Sequence, residues 1–164
     1  ARQCGQLLNG LSVEDNPFSA QLAFNNLPQV GKIEDDGLTD IERQLAEQSV
    51  KFLGDNSVMV NAVSVMTPVF YGLAQSVNIE TLQPVDAQDV AAWLEEVEQI
   101  ELDPTHQPTQ VENGSGSEFV HVGRLRSDLS HPNGINLWSV ADNIRTCSAL
   151  NCLKIAETLI RDFY

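Results

Sequence analysis

Between Ser57 and Leu82 the chain sets two β-rich runs end to end, with Pro68 between them. The first run, VMVNAVSVM, is dominated by β-branched residues that suit a pleated, half-buried surface. The second extends from Val69 to Leu82 and places Val77, Ile79 and Thr81 two apart, on one face of a strand. Proline has no N–H to give to a ladder, so Pro68 predicts a bend, an edge or a bulge rather than a central position. Any fold open to this chain must supply a sheet for these two segments.

Helical signals surround them. Residues 1–10 read as the tail of a helix closed by Asn9-Gly10, and a short strand is expected near Gln21–Asn25, where Leu22 and Phe24 alternate with polar neighbours. Asp35-Asp36-Gly37 is a turn. Thr39 followed by Glu42 forms a capping box for a helix that Gly54 ends, with Ile41, Leu45, Phe52 and Leu53 as its apolar positions. Asp86 caps the next helix, in which Val85 can staple onto Val90 and an amphipathic pattern buries Val90, Trp93, Leu94 and Val97. A loop rich in Pro, Gly, Ser and Thr follows over Asp103–Ser117. Two strands come next, Glu118–Arg126 and Ile135–Ala141, joined by the turn His131-Pro132-Asn133-Gly134. A final helix runs from about Asn143, with Leu150, Leu153, Ala156, Ile160 and Phe163 on its apolar side. Helices and antiparallel-prone strands alternate without βαβ regularity, so the expected class is α+β, one sheet with helices packed on it.

At 164 residues the chain is long enough to bury a core as one domain. A net charge of −14 with only nine Lys and Arg argues against nucleic acid and against an anionic membrane surface, both of which demand clustered cations. No apolar run approaches the roughly 20 residues of a membrane helix. A cytoplasmic setting is the expectation. Three cysteines, Cys4, Cys147 and Cys152, lack CxxC spacing and read as free thiols. Cys147 and Cys152, five apart on a helix, point to different faces.

Several motifs in order carry a resemblance. LAFNNLPQV (Leu22–Val30), DDGLTDIE (Asp35–Glu42), SVNIET (Ser76–Thr81), GRLRSD (Gly123–Asp128), PNGINLWSVADNIR (Pro132–Arg145) and ALNCLKIAETL (Ala149–Leu159) together resemble the C-terminal dimerisation domain of aspartate-semialdehyde dehydrogenases. The resemblance implies a glyceraldehyde-phosphate-dehydrogenase-like C-terminal domain: a mixed, largely antiparallel sheet with helices packed on one face. It implies one dimerisation domain over residues 1–164, with an N-terminal NADP-binding domain outside this chain. In that family an upstream Cys attacks the aldehyde, hydride passes to NADP, and phosphate resolves the thioester. The nucleophile motif NP-x-C and the Gly-rich dinucleotide loop would belong to that other domain, and neither occurs here.

Four polar residues of the family's C-terminal domain assist this chemistry, and all four positions read differently here. In VSVMTPVFYGLAQSVNIE (Val63–Glu80) the substrate-gripping Arg position is Met66 and the catalytic His position is Leu73. On the Thr39 helix the family's Glu and Lys, three apart, correspond to Ile41 and Gln44. Glu42 lies beside the first of these, and its capping-box role accounts for it. Exchanging Arg for Met removes a bidentate grip on a carboxylate of about 2–5 kcal/mol. Exchanging His for Leu removes a proton carrier, about 10²–10⁴-fold in rate. The pattern resembles the family's Usg-type paralogues, which keep the fold and depart at catalytic positions. An active enzyme with an altered substrate, and a docking partner of an active paralogue, are the competing expectations.

Other chemistry-bearing residues read as structural. His106, His121 and His131 have no metal-ligand spacing and are expected on loops or strand surfaces. Arg124 and Arg126, two apart on a strand, would share a face and meet an anion or partner carboxylates. Asn143 follows the last strand, where the family approaches the nicotinamide; helix capping is its default role, with cofactor contact conditional on the other domain. Glu95, Glu96 and Glu98 form a solvated face, and Gly114–Ser117 reads as a flexible connector. The expected partner is a second copy of the chain, docked through the sheet face, with Val58–Val65, Val69–Ile79 and Leu137–Val140 as candidate interface strands. The last helix should expose apolar surface where it would meet the other domain.

Overall fold

The computed structural model describes residues 1–13, 16–102 and 107–163. They form two compact units, Ala1–Pro68 and Val69–Tyr164. The expected class, α+β, is the one observed.

The first unit contains α1 (Arg2–Leu8) and α2 (Asp40–Leu53). Helix α1 ends as its sequence predicts: Gly10 turns left-handed and the Leu11 amide reaches back to the Gln6 carbonyl at 2.9 Å. Helix α2 has both halves of the capping box, with Glu42 N–H donating to Thr39 Oγ1 at 3.2 Å and Thr39 N–H donating to Glu42 Oε2 at 2.9 Å. Gly54, at φ 65°, closes it. The turn before α2 depends on Gly31: a Cβ there would lie 1.9 Å from Asp40 Oδ1, the oxygen that accepts the amides of Lys32 and Ile41.

Two strands expected in this unit do not form. Around Gln21–Asn25 the chain turns instead, because side chains satisfy the backbone locally. Gln3 Oε1 accepts from both Leu22 and Ala23 at 3.1 Å, Asn25 Nδ2 donates to the Gln21 carbonyl at 3.0 Å, and Phe24 takes φ 59°. The run Ser57–Met66 is β-like only in its side chains: from Val58 to Met66 every second residue is half-buried and the intervening ones are exposed. Beyond the local bonds of Ser57 and Val58 to Asp55, its partners among the described residues are a reciprocal bridge, Met66 with Leu27 at 2.9 Å each way, and the Glu42 carboxylate, which accepts from Ser64 N–H at 2.7 Å. A strand needs a second chain segment along its length, and β propensity does not supply one.

The second unit is built on a four-stranded sheet in the order β1-β4-β3-β2. Strand β1 (Leu73–Glu80) lies antiparallel to β4 (Gly134–Ala141), β4 lies antiparallel to β3 (Val120–Ser127), and β3 lies parallel to β2 (Ile100–Leu102). The sheet is thus mixed and largely antiparallel, as expected. Strand β1 is shorter than Val69–Leu82 because Gly72, at φ 94°, bends the chain immediately before it. Strand β2 has no local signal; three residues become a strand through pairing with β3. The central strand β4 holds the core, with Ile135 and Val140 each 1% exposed.

Helix α3 (Ala87–Glu95) is capped by Asp86 as predicted, Gln88 N–H donating to Asp86 Oδ1 at 2.8 Å. Its burial is shallower than the pattern implied, since Trp93 is 59% exposed and Val97 is also open. Between β2 and β3 the described part of the loop carries a π-helical turn, Gln110–Gly114, capped by Thr109. Gly114 is buried against Ala141, so Gly114–Ser117 is a built turn rather than a flexible connector. His106 lies outside the described residues. The final helix also starts later than expected: a second π-helical turn, Arg145–Leu150, precedes α4 (Asn151–Phe163). Every described residue of α4 is exposed, including Leu153, Ile155, Ile160 and Phe163. No helix among the described residues is long and apolar enough to cross a membrane.

Candidate functional site

The structure places the singled-out positions in two groups, one in each unit. In the first, Ile41 and Gln44 lie three apart in the opening turns of α2, both exposed. Met66 is half-buried in its bridge to Leu27. Between these elements stands Glu42, 8% exposed, whose two carboxylate oxygens are both in use. Backbone hydrogen bonds, from Thr39 first and Ser64 second, hold its carboxyl below the usual range. A carboxylate locked in this way is a structural clasp between the helix start and the extended segment, not a free general base.

In the second unit, Leu73 opens β1 opposite Ala141 and is 42% exposed. Beside it Gly72 is fixed from two directions. Its amide donates to Asn143 Oδ1 at 3.0 Å, and its carbonyl accepts from Gln110 Nε2 at 3.0 Å. A Cβ at Gly72 would approach the Ala141 carbonyl oxygen to 3.3 Å and Gln110 Cβ to 3.2 Å. Leu73 and Asn143 are therefore brought together through a glycine and two amide side chains.

Asn143 does not cap the following helix; Asp142 does. Asp142 Oδ1 accepts the amides of Ile144 at 2.8 Å and Arg145 at 2.6 Å, while Oδ2 accepts that of Gly116 at 2.7 Å. These backbone hydrogen bonds, Arg145 first, Gly116 next and then Ile144, hold its carboxyl below the ordinary 3.8. Sequence reasoning missed it, although an Asp directly between a strand and a helical pattern is itself a cap signal. Partial desolvation and then the Asp142 charge push the Cys147 thiol up, away from the thiolate a nucleophile requires.

Arg124 and Arg126 do not share a regular strand face. A β-bulge falls between Gly123 and Arg126, Arg124 takes φ 53°, and Arg126 Nη1 donates to the Arg124 carbonyl at 2.9 Å. Glu95, Glu96 and Glu98 are exposed, as expected of a solvated face. His131 Nδ1 accepts from Asn133 N–H at 3.2 Å inside the turn before β4. His121 stands on β3, between Ser117 and Glu101. Among the described residues no group of three His, Cys, Asp or Glu could hold a metal ion.

A mixed sheet with an antiparallel majority, helices, and a capped turn after β4 define an α+β domain. The chain belongs to the semialdehyde dehydrogenase family, whose dimerisation domain model matches residues 1–146. It is 46% identical to aspartate-semialdehyde dehydrogenase of Shewanella violacea, over all of this chain and 49% of that protein. It is 35% identical to the USG-1 protein homolog of Pseudomonas aeruginosa, over 99% of this chain and 49% of that one. The crystal structure of aspartate semialdehyde dehydrogenase II from Vibrio cholerae, complexed with ASA, superposes with a TM-score of 0.95 at 46% identity, covering 99% of this chain and 49% of the other. The chain thus spans about half the length of the curated relatives it matches.

Proposed function

We propose that this chain is the self-association domain of a semialdehyde dehydrogenase homologue that has lost the family's catalytic residues. The observation that carries this reading is Leu73. At the head of β1, next to the Gly72–Asn143 hydrogen bond, an aliphatic side chain stands where the resemblance puts a proton carrier. Leucine can neither accept nor deliver a proton. Met66, Ile41 and Gln44 extend the same loss to the carboxylate grip and the charged helix pair. Asn143 is the residue we assign to any cofactor contact, made with NADP held by a further domain.

Self-association through the sheet is supported by apolar residues left open at and before its β1 edge: Phe70, Tyr71, Leu73 and Ile79 are all exposed. Val140, one of the candidate interface residues, is instead core. Sedimentation of the chain over a wide concentration range tests this reading. A species of about twice the 18.0 kDa chain mass is expected, and a monomer throughout would sink it.

A second reading is favoured by the comparisons: identity to relatives named aspartate-semialdehyde dehydrogenase, 46%, exceeds that to the USG-1 homologue, 35%. Under it the domain is half of an active NADP-dependent, cytoplasmic enzyme of amino-acid biosynthesis that takes an altered substrate. An NP-x-C motif in the parent sequence, together with phosphate-dependent NADP reduction by an aldehyde, would establish that enzyme. If the chain co-purifies with an active paralogue instead, the docking-partner reading replaces both.

A further inference from the structure

We propose that Ser117, His121 and Glu101 form a nucleophilic acyl-transfer site, with small activated carboxylic esters as its substrate class. The site uses none of the positions that align with the family's catalytic residues and does not rest on the family reading.

The trio is built by sheet register. Parallel pairing of β2 with β3 sets Glu101 opposite His121, and Glu101 Oε2 lies 3.2 Å from His121 Nδ1. On the other side of the ring Nε2 lies 2.8 Å from Ser117 Oγ. The nearby Glu101 carboxylate favours a proton on Nδ1 by its charge, which leaves the Nε2 lone pair to accept the Ser117 hydroxyl proton. This is the order a hydroxyl nucleophile, its base and the base's orienting carboxylate require. The imidazole is held with 14% of its side chain exposed, while Glu101, at 61%, stays in solvent.

Ser117 is positioned by its backbone. Thr146 Oγ1 donates to the Ser117 carbonyl at 2.8 Å, and Ser117 N–H donates to the Gly114 carbonyl at 3.1 Å. Phe119 N–H donates to Ser117 Oγ at 3.0 Å, which leaves the oxygen its second lone pair for attack. The next amide, Glu118 N–H, makes no hydrogen bond among the described residues. An amide directly after the nucleophile is a common donor to the oxyanion of acyl transfer.

In the reaction Ser117 Oγ bonds to the ester carbonyl carbon as its proton passes to His121 Nε2. The tetrahedral intermediate then expels the leaving alkoxide or phenoxide; the proton on His121 Nε2 passes to that group or, where it departs as an anion, to solvent, and the imidazole is neutral again. Water, deprotonated by His121, attacks the acyl-serine; the carboxylic acid leaves and Ser117 regains its proton. Ser117 and His121 are the catalytic residues, and Glu101 is a positioning residue.

The test is labelling of the folded chain with a fluorophosphonate, which forms an Oγ–P bond and releases fluoride, located by peptide mass spectrometry. It is paired with the burst of p-nitrophenolate from p-nitrophenyl acetate. One adduct per chain at Ser117 is expected, absent in Ser117→Ala. His121→Gln should slow labelling about 100-fold. Glu101→Gln should slow it about tenfold, with partial recovery in Glu101→Asp. Circular dichroism establishes that each variant is folded. A folded wild-type chain whose Ser117 stays unmodified overturns the proposal without reference to any variant. A folded His121→Gln chain labelled within tenfold of the wild-type rate also overturns it.

Discussion

Asp128, Asp142 and Glu42 show what single residues do here. Each carboxylate accepts backbone amides, and each is held below its ordinary ionisation range, Asp128 down to about 2 from 3.8. For Asp128 the chief causes are the Ser130 amide and then the Ser130 hydroxyl, each 2.7 Å away. A carboxyl with a depressed folded-state pKa favours the native state above its unfolded value, and that contribution is lost as pH falls through the folded value. Stability of the wild-type chain is therefore expected to fall between pH 3.8 and about 2, the window set by Asp128. Asp128→Asn should flatten the fall in that window, which circular dichroism melts at stepped pH will measure. Restoration is a second test at this scale. Met66→Arg with Leu73→His should leave an inactive parent inactive if Ile41 and Gln44 also matter, and NADP-linked turnover in that double variant would contradict this.

Elements stand or fall on their ends and partners. The α2 capping box was legible because Ser/Thr-x-x-Glu is a local pattern satisfied within one turn. Thr39→Ala is expected to cost about 1 kcal/mol, read as a lowered urea midpoint. Gly31→Ala should cost about 1–3 kcal/mol, since φ 86° and the Asp40 oxygen both exclude a Cβ. The turn at Gln21–Asn25 and the extended run Val58–Met66 misled sequence reasoning for one reason. Alternating polarity reports which way side chains point, whereas a strand also requires a neighbour that receives its amides. In the first case Gln3, from α1, took that place, and in the second Glu42 did. Strand β2 is the converse, three residues recruited by β3 without a signal of their own.

The whole molecule separates a buried strand from an open helix. Val140, 1% exposed in β4, should lose about 2 kcal/mol on truncation to Ala through lost burial and a residual cavity. Ile160→Glu on α4, which buries no residue, should leave the urea midpoint within about 0.5 kcal/mol of wild type. If that substitution proves strongly destabilising, α4 is covered in solution by a second copy or another domain. The exposed residues of the β1 edge make a parallel test of the proposed self-association: Ile79→Lys should weaken it about tenfold or more in sedimentation while the chain remains folded.

The sequence by itself determined the family, the caps of α2 and α3, the turn before β4, and the strands β3 and β4. All of these are encoded by residues within a few positions of one another or by motifs in order along the chain. Tertiary structure alone decided which β-rich run became a strand. It made Asp142 rather than Asn143 the cap, put Val140 in the core rather than at an interface, and set His121 between Ser117 and Glu101. Those outcomes depend on the partner a backbone or side chain meets across the fold. Burial and hydrogen bonding are relations between distant segments, and local polarity sets only which side of each segment is ready to make them.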